Sequence, residues 1–250
     1  MGLNARNIES SGAGKFKRQA ALEAGTYPAR LVQVVCKGLQ PQPPYQGNEK
    51  PPQVELYVTY ELLDEFILDE DGNELKDKPR WISETFGLFN LSTELAKSTK
   101  RYFAIDPTES HKGDWGKLGG TAVMVTIVQT PDKKGKKDDE GNTVIYNNIS
   151  SVQTMREKDA KRADPLVNPV RVFDPYEPDM DSYFALPEWL RDKIKEGLDF
   201  GGGALEKALE GLNENEEVDK RRKGGGDSEP EAKQPAKPVE SEDSGDDEDW

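Results

Sequence analysis

Apolar and polar residues alternate along five stretches of the first 155 residues, with the period of two that is typical of β-strands. The stretches cover residues 26–37, 54–64, 79–89, 121–130 and 143–155. The second is the clearest, because every other residue from Val54 to Leu62 is apolar while Tyr57 lies among the polar residues between them. Residues 38–52 are rich in Pro, Gln and Gly and predict a loop between the first two strands.

Between the third and fourth strands, the apolar residues recur at helical spacing. Leu91, Leu95 and Tyr102 follow this spacing, with Asn90 or Ser92 as the cap, and Pro107 ends the helix. Three strands, a helix and two strands form the order of a five-stranded oligonucleotide-binding barrel, the OB fold. The predicted fold is therefore mainly β, although small mixed sheets of other topology share the same order.

Four regions are predicted along the chain. Residues 1–25 form a basic N-terminal arm, and residues 26–155 form the OB-fold domain that would bind single-stranded DNA. Residues 156–212 form a C-terminal extension with short helices, one of them starting at Pro187, that packs on the barrel. Residues 213–250 are polar and acidic and are expected to form a disordered linker and tail.

Charge restricts where a nucleic acid could bind. The chain of 250 residues has a net charge of −14, of which −8 falls on residues 213–250 and −6 on the rest. Any nucleic-acid site must therefore be a local basic patch. The single cysteine, Cys36, lies in an apolar run and is expected to be a buried hydrophobic residue, which fits a reducing compartment. No apolar run is long enough to span a membrane, and we expect a cytoplasmic protein.

The chemistry of an enzyme finds little support in the sequence. The only histidine is His111, in a polar loop, and the clusters of Cys and His that bind zinc are missing from the sequence. Asp69, Asp71 and Asn73 are more typical of a hairpin turn than of a calcium loop, because Gly72 comes too early. We expect no enzymatic activity, no metal and no cofactor, with a nuclease that uses carboxylate-held magnesium as a remaining possibility.

Binding of single-stranded nucleic acid requires cations for the phosphates and aromatic rings for the bases. Two clusters and several single residues supply them. The N-terminal cluster is Lys15, Phe16, Lys17 and Arg18, and the hairpin between the last two strands carries Lys133, Lys134, Lys136 and Lys137. The single candidates are Arg30, Tyr57, Arg80, Trp81 and Tyr146. Each has an ordinary alternative, since Trp81 could be a core residue and the lysines could form a solvated turn.

The segment VESEDSGDDEDW, residues 239–250, has seven acids and no base. An acidic segment of this kind often serves only for solubility. An aromatic residue at its tip instead suits a docking peptide, or a decoy for a cationic groove. The candidate residues for partner binding are Asp246, Asp247, Glu248, Asp249 and Trp250.

Two parts of the chain resemble a family of bacteriophage single-stranded DNA-binding proteins. Residues 26–155 are similar through GTYPARLVQVV, TFGLFNLSTELAKSTKRYF and YNNISSV, and the second part is SGDDEDW near the end. The resemblance implies an OB fold that coats single-stranded DNA in the host bacterial cytoplasm during replication, recombination and repair. It also implies that the tail recruits phage or host replication and recombination proteins. This segment has tryptophan where the tails of that family usually have a proline followed by phenylalanine.

One alternative comes from a different class of protein. An acidic scaffold or DNA mimic would bind replication proteins and no DNA. The net charge of −14 favours this alternative, and the two basic clusters oppose it.

Overall fold

A computed structural model describes residues 19–138 and 141–224, and they form an antiparallel sheet with short helices. The strands are β1 (Gly25–Tyr45), β2 (Asn48–Leu68), β3 (Glu74–Gly87), β4 (Ala122–Pro131), β5 (Ile145–Thr154) and β6 (Arg171–Phe173). Their order is β3-β2-β1-β4-β5, and β6 pairs in parallel with β1. The prediction of a mainly β protein is confirmed.

The strands β1 and β2 are much longer than their hydrophobic patterns indicated. Each has 21 residues, and their distal halves pair across Leu39 and Val54 and again across Tyr45 and Asn48. The predicted loop over residues 38–52 is therefore wrong. We call this part of the hairpin, residues 38–52, the ribbon. Bulges after Cys36 and Gln40 interrupt the register of strand pairing there, and prolines are tolerated in a strand at such interruptions.

The helices are α1 (Lys97–Ile105), α2 (Glu157–Ala160), α3 (Met180–Phe184), α4 (Glu188–Lys195), α5 (Ala204–Leu209) and α6 (Glu214–Gly224). α1 lies between β3 and β4 as predicted but begins later than Asn90, because Asn90 caps a turn by accepting a hydrogen bond from the Ser92 amide. α6 covers residues for which a disordered linker was predicted.

The main core lies on one face of the sheet. Alternation along β2 places Leu56, Val58, Tyr60 and Leu62 there, and α1 adds Tyr102. The ring of Tyr102 lies 5.7 Å from the Trp115 ring. Cys36 packs against this core but is half-buried and not fully buried as predicted, and this burial raises the pKa of its thiol to about 11.

The sheet has two edges, β3 and β5, with no hydrogen-bonded ladder between them in the described part of the chain. Two elements bridge this seam. Arg101 of α1 donates to the Glu84 carboxylate of β3 at 2.8 and 3.1 Å, and its Nη2 approaches the Ile149 carbonyl of β5 at 3.5 Å. The second is the segment before β1, because the Ala20 carbonyl accepts from Arg80 of β3 at 2.8 Å and Leu22 exchanges two 2.8 Å hydrogen bonds with the Asn147 side chain of β5.

The opposite face of the sheet is covered by residues 156–212. A second core forms there between Val35 and Tyr57 of the sheet and Phe173, Tyr183 and Leu190 of the extension. A polar clamp fixes the chain before β6, and its acceptor is Glu61, which is fully buried. Its carboxylate accepts hydrogen bonds from the amide of Val167 at 2.7 Å and from the side chain of Asn168 at 2.7 Å.

Candidate nucleic-acid interface

The four lysines between β4 and β5 lie on a turn that is organised by one carboxylate. Lys133, Lys134, Lys136 and Lys137 are all exposed. Asp132 accepts hydrogen bonds from the backbone amides of Lys134 and Lys136, both at 2.9 Å. The Lys136 amide contributes most to holding the pKa of Asp132 below its usual value, so the carboxylate stays ionised. Asp132 thus shapes the lysine loop, defined here as residues 132–138.

Tyr146 supports this loop, because its hydroxyl donates to the Asp132 carboxylate at 3.1 Å and its side chain is half-buried. This contact makes Tyr146 a positioning residue for the lysine loop. The sequence analysis did not single out Asp132, although an aspartate two residues before a Lys-Gly pair is a recognisable turn signal.

The basic cluster Lys15, Phe16, Lys17 and Arg18 lies outside the described residues. The chain that follows it is fixed at the end of the sheet from which the lysine loop projects. Leu22 hydrogen-bonds with Asn147, the neighbour of Tyr146, and its carbonyl also accepts from the Gln129 side chain at 2.9 Å. Only three residues separate Leu22 from Arg18. Gln19, the residue directly after Arg18, exchanges hydrogen bonds with the Leu68 backbone at the end of β2, at 3.0 and 3.2 Å. The first cluster is therefore attached beside β2, and Leu22 joins the following chain to the two strands that carry the lysine loop.

Two arginines that were candidates for phosphate contacts are used to hold the fold together. The Arg30 guanidinium donates to four backbone carbonyls. One belongs to Gly120 in the loop before β4, at 2.9 Å, and three belong to the start of the extension: Ala160 at 3.3 Å, Ala163 at 3.1 Å and Asp164 at 2.7 Å. Arg80 donates to the Ala20 carbonyl at 2.8 Å, and burial lowers the pKa of its guanidinium. All three nitrogens of the Arg30 guanidinium donate to carbonyls, whereas Arg80 donates from Nη2 to one carbonyl. Neither arginine is included in the interface proposed below.

Two aromatic candidates lie on the face of the sheet that the extension covers, and they differ in solvent exposure. Tyr57 is only 6% exposed and packs edge-to-face against Trp189 of α4, with ring centroids 5.3 Å apart. No base can stack on it while α4 is in place. Trp81 is 39% exposed, and its indole N–H donates to Glu61 at 3.1 Å, which fixes the ring at the border of the extension.

The ribbon carries one exposed ring that the sequence analysis missed. Tyr45 is 41% exposed at the tip, and the Lys50 ammonium lies 4.7 Å from its ring centroid. A ring beside a cation suits stacking of a base next to a phosphate. The sequence analysis could not predict this contact, because it assigned residues 38–52 to a loop and only the pairing of β1 with β2 brings residues 45 and 50 together.

The tail candidates Asp246, Asp247, Glu248, Asp249 and Trp250 lie outside the described residues. Within residues 19–138 and 141–224, no group of three or more His, Cys, Asp or Glu side chains is arranged to hold a metal ion. None of the helices in those same ranges is long and apolar enough to cross a membrane. Comparison of the chain with protein-family models, curated proteins and solved structures found no match.

Proposed function

We propose that this chain is a bacteriophage protein of the host cytoplasm that coats single-stranded DNA without strong sequence preference and has no enzymatic activity. The observation that carries the proposal is the lysine loop. Its four lysines are exposed on a turn that Asp132 and Tyr146 hold in shape, and the Lys137 ammonium also donates to the Thr143 hydroxyl at 2.9 Å. Such a loop can follow a phosphate backbone without reading bases, because ammonium groups act as point charges.

The strand order adds support for an OB fold. In a five-stranded barrel of this type the lysine loop corresponds to the connection between strands 4 and 5, which borders the oligonucleotide groove. The order β3-β2-β1-β4-β5 is that of such a barrel opened between β3 and β5. Arg101 bridges that opening, and so does the segment that contains Ala20 and Leu22. We therefore propose that the sheet is an OB barrel with a bridged seam.

The available surface sets the path of the DNA. Because the extension covers Tyr57, we propose that the strand runs along the end of the sheet, from the lysine loop toward the N-terminal arm. Lys15 to Arg18 would add phosphate contacts there. Among the candidate rings of the sequence analysis that the structure describes, Trp81 is the most exposed, and a base stacked on it would contribute about 1–3 kcal/mol.

A titration of labelled oligo(dT) at several salt concentrations tests the proposal. Changing Lys133, Lys134, Lys136 and Lys137 together to Gln removes four charges. Each lost phosphate contact lowers the slope of log affinity against log salt by roughly 0.7 for single strands. We expect the slope to fall by about 2–3 and the affinity at low salt to drop at least tenfold.

A matched control has four exposed lysines of the extension, Lys158, Lys161, Lys193 and Lys207, changed to Gln. This variant has the same net charge as the first, so the two differ only in where the charges were removed. Equal losses in both variants would show that net charge alone controls binding, and the loop would have no specific role.

The acidic tail is proposed to act in two ways, as a decoy for the cationic surface and as a docking peptide for replication and recombination proteins. Deleting residues 239–250 should tighten oligo(dT) binding at low salt and abolish recruitment of a replication protein in a pull-down. If both measurements are unchanged, the tail has neither role.

A second candidate function is the acidic scaffold or DNA mimic that binds replication proteins. It is favoured by the net charge of −14 and by the use of Arg30 and Arg80 within the fold. The same titration separates the two functions, because a scaffold would give no oligo(dT) binding at any salt concentration.

A further inference from the structure

Three side chains form a row across the face of the sheet that the extension covers. Arg30 of β1 is paired with Glu61 of β2, and Glu61 is paired with Trp81 of β3. Paired residues of adjacent strands have their side chains next to each other on one face. The Trp81 indole N–H donates to the Glu61 carboxylate at 3.1 Å, in agreement with this arrangement. The row therefore has a cation, a carboxylate and a ring in that order.

A short segment of the extension lies over the middle of this row. We call residues 165–169, with the sequence PLVNP, the latch. Just before it, Arg30 holds the carbonyls of Ala160, Ala163 and Asp164, and just after it β6 pairs with β1. The latch is therefore fixed at both ends, and only its middle is free to lift from the sheet.

The middle of the latch is attached to the sheet by one carboxylate. One oxygen of Glu61 accepts from the Val167 amide at 2.7 Å, and the other accepts from the Asn168 side chain at 2.7 Å and from its amide at 3.3 Å. None of the five latch side chains is buried, and Val167 is 51% exposed. Segments with few buried apolar contacts open at a low free energy. The latch therefore depends on hydrogen bonds more than on apolar packing.

The burial of Glu61 restricts what can take the place of the latch. Glu61 is fully buried, and its partners are the uncharged N–H groups of Trp81, Val167 and Asn168. A buried carboxylate that loses its hydrogen bonds is strongly destabilising. The latch can therefore leave only if another group replaces its two N–H donors, one on each oxygen. The matching ligand has two neighbouring N–H donors in one plane.

Among the four DNA bases, guanine fits this requirement best. Its Watson–Crick edge presents N1–H and N2–H side by side, and the unpaired bases of single strands expose that edge. Thymine has its one N–H between two carbonyls, and adenine and cytosine have an amino group beside a ring nitrogen that accepts. Each of these three bases would turn an acceptor toward one oxygen of Glu61, which is itself only an acceptor.

We propose that a guanine of bound single-stranded DNA displaces the latch, with N1–H and N2–H on the Glu61 carboxylate and its ring against Trp81. This inference rests on the proposed function and adds a subsite for one base, which the latch closes when no guanine is bound. The lysine loop lies at the end of the sheet where β1 begins, because Gly25 pairs with Ile127 of β4. Arg30 is five residues further along β1, a distance of about 17 Å at 3.4 Å per residue. A strand held by the loop can therefore reach the row.

Fluorescence anisotropy with the full chain tests the proposal. Three labelled strands are compared: oligo(dT), the same strand with one central guanine, and the same strand with hypoxanthine there, which lacks the N2 amino group. We expect the native chain to bind the guanine strand about fivefold more tightly than the other two. In Glu61→Gln this preference should be lost while oligo(dT) binding is unchanged, because a carboxamide cannot accept on both sides. Asp106→Asn removes another buried carboxylate that accepts two backbone amides, and it should keep the preference.

Two measurements follow the latch itself. Asn168→Ala removes one of its hydrogen bonds, so the guanine preference should rise by about threefold or more with oligo(dT) affinity unchanged. Hydrogen exchange of the Val167 amide, measured by NMR, should become faster when the guanine strand is added and not when oligo(dT) is added. A clamp with a purely structural role would give the same exchange with both strands.

The outcomes separate this inference from the function on which it rests. Absence of oligo(dT) binding would overturn the proposed function and this inference with it. Oligo(dT) binding without a guanine preference, or a preference that persists in folded Glu61→Gln, would overturn only the displacement of the latch. If Glu61→Gln unfolds, which circular dichroism would reveal, then Asn168→Ala decides, and a preference that does not rise in that variant overturns the inference.

Discussion

The ion pair between Arg101 and Glu84 joins α1 to the β3 edge of the open sheet, and its removal is the sharpest test of the fold. The two side chains are 8% and 5% exposed and form two hydrogen bonds, at 2.8 and 3.1 Å. The same guanidinium approaches carbonyls of β5 at 3.4 and 3.5 Å. The perturbation is Arg101→Met, which keeps much of the volume and removes the charge.

The expected loss follows from burial. Removing one partner of a buried pair costs about 3–5 kcal/mol, because the other charge is left uncompensated. Lys97 remains 3.1 Å from the Glu84 carboxylate and compensates part of that charge. We therefore expect the lower end, a loss of about 3 kcal/mol in the free energy of unfolding. A typical protein has only about 5–15 kcal/mol in total.

Urea denaturation followed by circular dichroism at pH 7 measures this loss. Lys161→Met is the control, because its pair with Glu157 is exposed on both sides and should contribute below about 0.5 kcal/mol. The double variant Arg101→Met, Glu84→Met should recover part of the loss, since it leaves neither charge unpaired. A loss below about 1 kcal/mol in Arg101→Met, or a double variant less stable than both single ones, would refute the role of the pair.

Three further predictions concern single side chains. Burial raises the pKa of the Asp106 carboxyl group, but its carboxylate accepts hydrogen bonds from the backbone amides of Ser110 and His111. Together with the side-chain hydrogen bonds of the same two residues, these bonds hold the pKa below its usual value. Asp106→Asn should therefore destabilise the protein more at pH 7 than at pH 3 in urea denaturation, because a lowered pKa contributes stability that is lost on acidification. The thiol of Cys36, with a pKa of about 11, should react with iodoacetamide at pH 8 roughly a hundredfold more slowly in the native protein than in urea. Tyr57→Ala removes the ring under α4 and should cost about 3–5 kcal/mol, and limited proteolysis should then cut within residues 156–212.

Regular patterns within single elements were readable from the sequence. The alternation along residues 54–62 predicted one face of β2, and those residues do line the main core. The apolar surroundings of Cys36 predicted its contact with the same core, although its side chain is only half-buried. Exposure of the four lysines could also be expected, because a Gly-containing charged hairpin has no apolar side to bury.

Contacts between distant residues decided the rest. Arg30, Tyr57 and Arg80 have the chemistry of a nucleic-acid contact, but each meets a group far away in sequence that takes up its guanidinium or covers its ring. The hydrophobic pattern around each residue cannot predict these contacts, because it does not show which distant segment will pack against that residue.

The sequence by itself determined a mainly β fold, a helix between β3 and β4 and an exposed lysine loop, since each depends on neighbours within a few residues. Only the tertiary structure decided that residues 38–52 form a ribbon and that the extension covers Tyr57. It also decided that residues 165–169 lie over the buried Glu61. The physical reason is that strand pairing and burial join residues far apart in the chain, and their free energy outweighs local preference.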